Sequence, residues 1–208
     1  MHPNPVYRQE SRDRNLEFAR ERGFGVLSVN GDPAPMVSHV PFALSEDGAS
    51  ADLHLVRSNP IARAATGALP AVIAVTGPDG YISPDWYGDP AQVPTWNYVA
   101  VHLRGTLHPL PDEALQASLE TLTEMFETRL LPKKPWTLDK TPEDVQERLM
   151  RMVRPFRFEV AEVDGTWKLA QNKSSKARQS AASQLNGAQI GQETALLAAL
   201  MMGVEHGE

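Results

Sequence analysis

The sequence predicts a mainly β protein with attached helices, and three observations lead to that prediction. Short runs of alternating or β-branched apolar residues recur along the first half of the chain, with turn residues between them. Most of these connections are too short to hold a crossover helix, which favours antiparallel strands over a doubly wound parallel sheet. Longer segments with apolar residues at helical spacing follow in the second half.

The strands are predicted from the turn residues that bound them. Asn30-Gly31-Asp32-Pro33 has the composition of a hairpin turn, and Glu46-Asp47-Gly48 begins the next one. Further turns are expected at residues 77–80 and at Asp164-Gly165, because glycine beside aspartate is typical of turns. The predicted strands are residues 24–29, 35–44, 51–57, 69–76, 81–83, 96–109 and 156–163.

Helices are predicted from caps and from apolar periodicity. Residues 13–22 form a short helix that ends at Gly23, and Asn59 with Pro60 starts another over residues 61–66. Leucines at helical spacing indicate a long helix over residues 112–130. Thr141-Pro142-Glu143-Asp144 starts a helix that runs to about residue 153, and residues 194–202 form a terminal helix.

Length, charge and cysteine content narrow the possible classes. The 208 residues suit one domain with a small appendage, which we expect to divide into residues 1–180 and a tail over residues 181–208. The absence of cysteine excludes disulfides, thiolate nucleophiles and cysteine-ligated metals, and it fits a reducing cytoplasm. No apolar run approaches a membrane span, and a net charge of −6 creates no global field that attracts nucleic acid.

Neither hydrolysis nor metal binding is favoured by the residue pattern. Ser83 lacks the glycine elbow of a serine hydrolase. Four histidines fall in predicted strands without helical ligand spacing or an accompanying carboxylate motif, so we expect hydrogen-bonded sheet histidines rather than metal ligands. These histidines are His39, His54, His102 and His108.

The segment Leu55-Val56-Arg57-Ser58-Asn59-Pro60 offers the donors that a phosphate needs. Arg57 supplies a guanidinium fork, Ser58 a hydroxyl, and the helix after Asn59 an N-terminal dipole, while Arg63 lies one turn further on. The simpler alternative is that Asn59 only caps the helix and Arg57 is a solvated charge. The segment by itself leaves both open.

Aromatic residues are concentrated between residues 81 and 98, in a chain that is only 7% aromatic, and prolines stiffen the same stretch. Such rings can stack on a flat heterocycle, or they can pack at a subunit interface. After the last predicted turn, residues 167–173 add amide and amine donors. The aromatic residues are Tyr81, Trp86, Tyr87, Trp96 and Tyr98.

Together these segments resemble the PaiB-like family of FMN-binding negative transcriptional regulators, within the flavin-binding split-barrel class. The resemblance is spread over most of residues 1–180 and is most specific where VPTWNY accompanies YISPxWY. Ala170 stands where the family more often has serine, so a hydroxyl contact would be absent there. The segments that carry the resemblance are MVSHVPF (36–42), HLVRSNP (54–60), YISPDWY (81–87), VPTWNY (93–98) and LAQNK (169–173), the last followed by residues 174–178.

The resemblance implies a six-stranded antiparallel split β-barrel and a homodimer with FMN near the subunit interface. It implies that Ser38, His39 and Val40 follow the isoalloxazine edge, and that ribityl and phosphate lie near Arg57, Ser58, Asn59 and Arg63. The pocket would be lined, in part from the partner subunit, by Tyr81, Ile82, Ser83, Thr95, Trp96 and Asn97. It would be closed by Gln171, Asn172 and Lys173.

The expected function is therefore flavin binding, with flavin-dependent redox activity as a further expectation and no catalytic residue assigned. One alternative is a repressor that binds DNA directly and uses the barrel as a dimerisation scaffold, with Arg148, Arg151 and Arg154 as a basic helix face. The acidic net charge and the lack of a helix-turn-helix pattern speak against it. A weaker alternative is a haem-binding split barrel with a histidine as axial ligand.

Overall fold

A computed structural model describes residues 1–188 and 190–204 of the chain. Most of the expected helices and strands are present within a few residues of their predicted ends. The strands are β1 (Phe24–Val29), β2 (Met36–Pro41), β3 (Ala43–Leu44), β4 (Ser50–Val56), β5 (Leu69–Ile82), β6 (Thr95–Pro109), β7 (Val153–Lys168) and β8 (Gly191–Gln192). The helices are α1 (Arg12–Arg22), α2 (Pro60–Ala64), α3 (Leu115–Glu127), α4 (Glu143–Met150), α5 (Ser175–Leu185) and α6 (Thr194–Met202).

The eight strands form one sheet in the order β2-β1-β5-β6-β7-β4-β3, with β8 paired to β5. The registers of β1 with β2 and β5, of β3 with β4, of β4 with β7 and of β5 with β8 are antiparallel, as predicted. Six strands have six residues or more, whereas β3 and β8 have two each. In the described part of the chain, β2 and β3 lie at the two ends of this strand order and do not pair with each other. The described strands therefore do not close into a six-stranded barrel.

The turn predicted at residues 77–80 is wrong, because β5 runs through it without interruption. Gly80 pairs with Gly191 of β8, and the neighbouring Asp79 pairs with Gln192. A Cβ atom on Gly191 would come within 2.3 Å of the Asp79 carbonyl oxygen, and Gly191 has φ +137°. The glycines therefore permit close backbone pairing instead of reversing the chain.

The turn predicted at Asp164-Gly165 is also wrong, because β7 continues through it to Lys168. A Cβ atom on Gly165 would lie 2.0 Å from Oδ1 of Asn15. The same Asn15 oxygen accepts a hydrogen bond of 2.8 Å from Nε1 of Trp167, and Asn15 is buried. Glycine is needed here because a buried polar side chain occupies the space above the strand.

The chain divides into two compact units. The first unit comprises Met1–Asn15, Thr76–Val101 and the chain from Asp164 onward, and the second comprises Leu16–Val75 and His102–Val163. The first unit buries apolar side chains of α5 and α6, among them Leu185, Leu197 and Met201. The second buries the alternate residues of its strands, among them Leu27, Leu53, Ile73, Leu103, Phe156 and Phe158.

The long predicted helix over residues 112–130 is α3 with a 3-10 turn at each end, Asp112–Ala114 and Thr128–Leu130. Its Leu115 and Leu122 are buried, and the helix packs against β4. The predicted terminal helix is confirmed as α6, which packs against α5. None of the helices in residues 1–188 and 190–204 has the length and apolarity that crossing a bilayer requires.

Candidate functional site

Two motifs that resemble the family meet in the second unit. Nδ2 of Asn59 donates a hydrogen bond of 3.0 Å to Oγ of Ser38, which joins the end of β4 to strand β2. Oδ1 of the same Asn59 accepts from the backbone N–H of Ile61 at 2.9 Å and so caps α2, as the sequence predicts. We call Ser38, Arg57, Ser58, Asn59 and Arg63 the arginine set.

Arg57 already has partners within the second unit. Its Nε donates to the backbone carbonyl of Arg151 at 3.0 Å, and its guanidinium forms an ion pair of 2.7 Å with Asp112. Arg57, Ser58, Arg63 and Asp112 are all exposed. An exposed ion pair stabilises a fold by only about 0.2–1 kcal/mol, so an incoming anion can replace Asp112 at little cost.

The helix dipole expected after Asn59 contributes less than the sequence suggests. Helix α2 has five residues, and the N–H group of Ile61 already donates a hydrogen bond to Asn59. A macrodipole is the sum of aligned peptide dipoles, and five residues align few of them. Any anion at this position therefore depends on the side chains of the arginine set.

The three residues expected at the flavin edge do not share one face of β2. Successive side chains of a strand point to opposite sides, so His39 faces away from Ser38 and Val40. Val40 is buried, whereas His39 is exposed and stacks on Phe24 with the ring centroids 6.3 Å apart. Of the three, only Ser38 forms a side-chain hydrogen bond with Asn59 in the described residues.

The first unit brings the aromatic and basic motifs together. The ring of Tyr81 meets Trp96 edge to face at 6.4 Å, and the Trp96 side chain stays 46% exposed. Nζ of Lys168 donates to Oγ1 of Thr95 at 2.5 Å, and Nζ of Lys173 donates to the side chain of Gln92. We call Tyr81, Tyr87, Thr95, Trp96, Lys168 and Lys173 the aromatic set.

Burial changes the protonation behaviour of the aromatic set. Burial, followed by the charge of Tyr7, raises the pKa of Tyr87 to about 12, so this hydroxyl remains a proton donor near neutral pH. Burial also lowers the pKa of Lys168, and the nearby Lys173 lowers it further. Nζ of Lys173 lies 5.5 Å from the centre of the Tyr87 ring.

Several predicted pocket residues of the first unit have structural roles. Gln171 donates to the carbonyl of Trp167 at 2.5 Å and accepts from the N–H of Leu169 at 2.8 Å, around Ala170 with φ +62°. Ile82 is fully buried. Ser83 precedes the 3-10 turn Pro84–Tyr87 and is half-buried, whereas Asn172 is exposed.

Asn97 is buried beneath α6. Its Nδ2 lies 3.4 Å from Sδ of Met201, and its Oδ1 has no hydrogen-bond partner in the described residues. Sulfur is a weak acceptor, so the Asn97 amide is poorly satisfied for a buried polar group. The amide therefore has hydrogen-bonding capacity that the described residues do not use.

Sequence reasoning included Lys168 only within the donor segment 167–173, without naming it as a site residue, and it missed Gln92. Lys168 directly precedes LAQNK, and its cationic side chain in a strand that ends at a motif was an available signal. Gln92 lies in the loop before VPTWNY, and its contact with Lys173 joins residues 81 positions apart. No local pattern marks such a contact.

A family model described as "Putative FMN-binding domain" matches residues 1–162. The chain belongs to this family. A curated relative, the "Protease synthase and sporulation protein PAI 2" of Bacillus subtilis, is 28% identical over 159 residues, which are 76% of this chain and 75% of that protein. The resemblance to the PaiB-like FMN-binding family is therefore confirmed.

Solved structures support the fold alone, because their sequence identity is low. The "FAD and Heme binding protein from Mycobacterium smegmatis" matches with a TM-score of 0.56 at 18% identity, over 78% of this chain and 73% of that chain. The "Flavocytochrome Anf3 from Azotobacter vinelandii" matches with a TM-score of 0.54 at 10% identity, over 80% and 72%.

Proposed function

We propose that this FMN-binding-family protein binds FMN as a homodimer of flavin-binding split barrels. Arg57, Ser58, Asn59 and Arg63 would hold the ribityl and phosphate end. The aromatic set, supplied by the partner subunit, would hold the isoalloxazine end. The observation that carries the proposal is the hydrogen bond between Asn59 and Ser38, which gathers two separate family motifs beside two exposed arginines. Residues 1–180 would form the binding domain and residues 181–208 its tail, in a cytoplasmic protein.

The residues present are chemically suited to the two ends of FMN. Guanidinium groups and a hydroxyl form strong charge-assisted bonds with phosphate, and the Asp112 partner of Arg57 is exposed and exchangeable. The half-exposed ring of Trp96 has apolar area to offer a flat heterocycle. The contact residues we propose for the ring end are Tyr81, Ile82, Ser83, Thr95, Trp96, Asn97, Gln171, Asn172 and Lys173, with His39 and Val40 beside Ser38.

Bound flavin would supply the electron-transfer chemistry, and the chain's residues would bind and orient it. Lys168 and Lys173 place positive charge next to Thr95 and Tyr87. The hydroxyl of Tyr87 stays protonated at neutral pH and can donate a hydrogen bond, but it cannot act as a base. The contacts of Gln171 hold the LAQNK backbone in one conformation.

Direct DNA binding through the basic helix face expected from the sequence is less well supported than flavin binding. Helix α4 ends at Met150, so Arg151 follows the helix and Arg154 lies on β7, where it donates to the carbonyl of Ala65 at 3.1 Å. Only Arg148 of the three arginines has no ion pair or hydrogen bond in the described residues. We therefore expect no salt-dependent DNA binding; binding that weakens when Arg148 and Arg151 are neutralised would favour a repressor.

Haem binding is also less well supported, because three of the four strand histidines, His54, His102 and His108, are engaged or enclosed. His108 lies 3.2 Å from Glu159, and Nδ1 of His54 is enclosed by protein. We expect a haem titration to produce no Soret shift.

The test of the proposal is the visible absorption spectrum of the freshly purified protein together with its size in solution. We expect a flavin band that denaturation releases, identification of the released compound as FMN by chromatography, and a dimer. FAD in its place would overturn the FMN assignment. A colourless protein whose melting temperature does not respond to added FMN would overturn the proposal as a whole.

A further inference from the structure

The second unit contains a cleft that the proposed flavin contacts do not use. We call it the helical cleft: it lies between one face of α3, residues 135–139 and the start of α4, and its volume is about 760 Å³. All of its lining residues belong to the second unit. Small-molecule sites typically enclose about 300–1,000 Å³, so the helical cleft has the size of a ligand pocket.

Hydrogen bonds hold the wall of the cleft opposite α3. The Glu127 carboxylate accepts from the backbone N–H of Trp136 at 2.7 Å and from Nζ of Lys133. The Gln146 amide donates to the carbonyl of Leu138 at 2.9 Å and to that of Thr141. Because these bonds already order the wall, a ligand would lose little affinity to ordering it.

The lining combines an aromatic and apolar surface with one sign of charge. Trp136, Pro135 and Leu119 provide the apolar area, and the Trp136 side chain is 36% exposed. No lysine, arginine or histidine belongs to the lining, and the ammonium group of Lys140 is held beside it by a hydrogen bond of 2.8 Å to the carbonyl of Pro135. Its carboxylates come from both walls and are Glu120, Glu124, Asp139 and Glu143.

This combination selects one class of ligand. Carboxylates repel anions, which excludes phosphates and nucleic acid from the cleft. A metal ion needs converging ligands, and the described residues contain no group of three or more His, Cys, Asp or Glu able to hold one. Carboxylates spread around an indole suit a cation whose charge lies on a larger apolar body, because cation–π attraction then adds to the ion pairing.

We propose that the helical cleft binds a small organic cation, with its apolar body against Trp136 and Leu119 and its ammonium group among the carboxylates of α3 and α4. The site is separate from the flavin contacts and does not depend on them. Nothing in the proposal requires a covalent step.

The experiment uses the full chain labelled with 5-fluorotryptophan, in which each of the four tryptophans gives its own fluorine resonance. The resonance missing from Trp136→Phe identifies Trp136. Benzyltrimethylammonium should shift this resonance saturably, whereas phenylacetate and benzyl alcohol should not. An equal shift with either of those two, or no saturable shift with the cation, would overturn the proposal.

Charge neutralisation tests the carboxylates. The double variant Glu120→Gln/Glu124→Gln should weaken binding of benzyltrimethylammonium about tenfold. Glu162→Gln, an exposed carboxylate on β7 outside the cleft, is the matched control and should leave it unchanged. If the double variant melts early, the salt dependence of binding to the unmodified chain decides, and affinity that does not fall with added salt would refute the role of the carboxylates.

Discussion

The charged side chains of the arginine set and two polar side chains of the first unit, Asn97 and Arg178, differ in burial. In the second unit, Arg57, Ser58 and Arg63 are exposed, and the ion pair of Arg57 joins two solvated side chains. In the first unit the side chains of Asn97 and Arg178 are buried. Asn97 lies beneath Met201, and Arg178 is 2% exposed, with Nε donating to the Met201 carbonyl at 3.0 Å.

This difference in burial predicts which substitutions change ligand affinity and which change the free energy of unfolding. Exposed groups with weak, exchangeable partners can be replaced at little cost to folding, so changes at Arg57, Ser58 and Arg63 should affect ligand affinity alone. A buried donor or acceptor that loses its partner costs free energy in every molecule, with or without a ligand. The following predictions test this contrast, from the largest expected effect to the smallest.

Arg178→Met should have the largest effect on stability. Arg178 binds the carbonyls of Met201 and Val204 at the end of α6, and methionine would leave these acceptors without their charged donor. We expect the free energy of unfolding to fall by about 3 kcal/mol in chemical denaturation. Lys176→Met, exposed on the same helix, is the control; similar losses in both variants would contradict the role of burial.

Gly165→Ala tests the packing of the first unit at a position where the sequence predicts a turn and the structure has a continuous strand. The new Cβ would overlap Oδ1 of Asn15 and disturb its hydrogen bond with Trp167. We expect a loss of about 2 kcal/mol in the free energy of unfolding, measured by thermal denaturation. Gly67→Ala has nothing within 4 Å and should be nearly neutral, and equal effects would show that the contact is unimportant.

Arg57→Ala combined with Arg63→Ala should reduce FMN affinity at least about tenfold, because two charge-assisted phosphate bonds would be lost. The free energy of unfolding should change little, since both side chains are exposed. Titration with FMN measures the first quantity and denaturation the second. An unchanged affinity would show that Arg57 and Arg63 do not belong to the site. A large loss of stability would contradict the contrast between these exposed arginines and the buried polar side chains of the first unit.

His54 should give the smallest effect, and it depends on pH. Burial lowers the pKa of His54 from 6.5 in the folded state, so the unfolded chain binds its proton first as the pH falls. This contribution to stability is complete above the unfolded pKa and is lost as the pH falls from there through the folded pKa. Denaturation between about pH 8 and about pH 5 should show a shallower decline for His54→Gln than for the unmodified chain, and parallel curves would refute the assignment.

The sequence by itself determined the fold class, most element positions and the family. Local signals decide these features: apolar alternation marks β6, leucine spacing marks α3, and Asn59 with Pro60 marks the start of α2. Each of these depends on residues close together in the chain, or on motifs that a related sequence repeats.

Only the tertiary structure decided what the glycines and polar side chains do. Gly80 and Gly165 each follow an aspartate, which is typical of turns, yet both lie within continuous strands. Gly191 packs closely against Gly80, and Asn15 leaves no space for a side chain at Gly165. Arg178 looks like a surface charge in the sequence and is buried against the end of α6. Contacts between residues far apart in the chain settle such cases, and a local pattern contains no information about the distant partner.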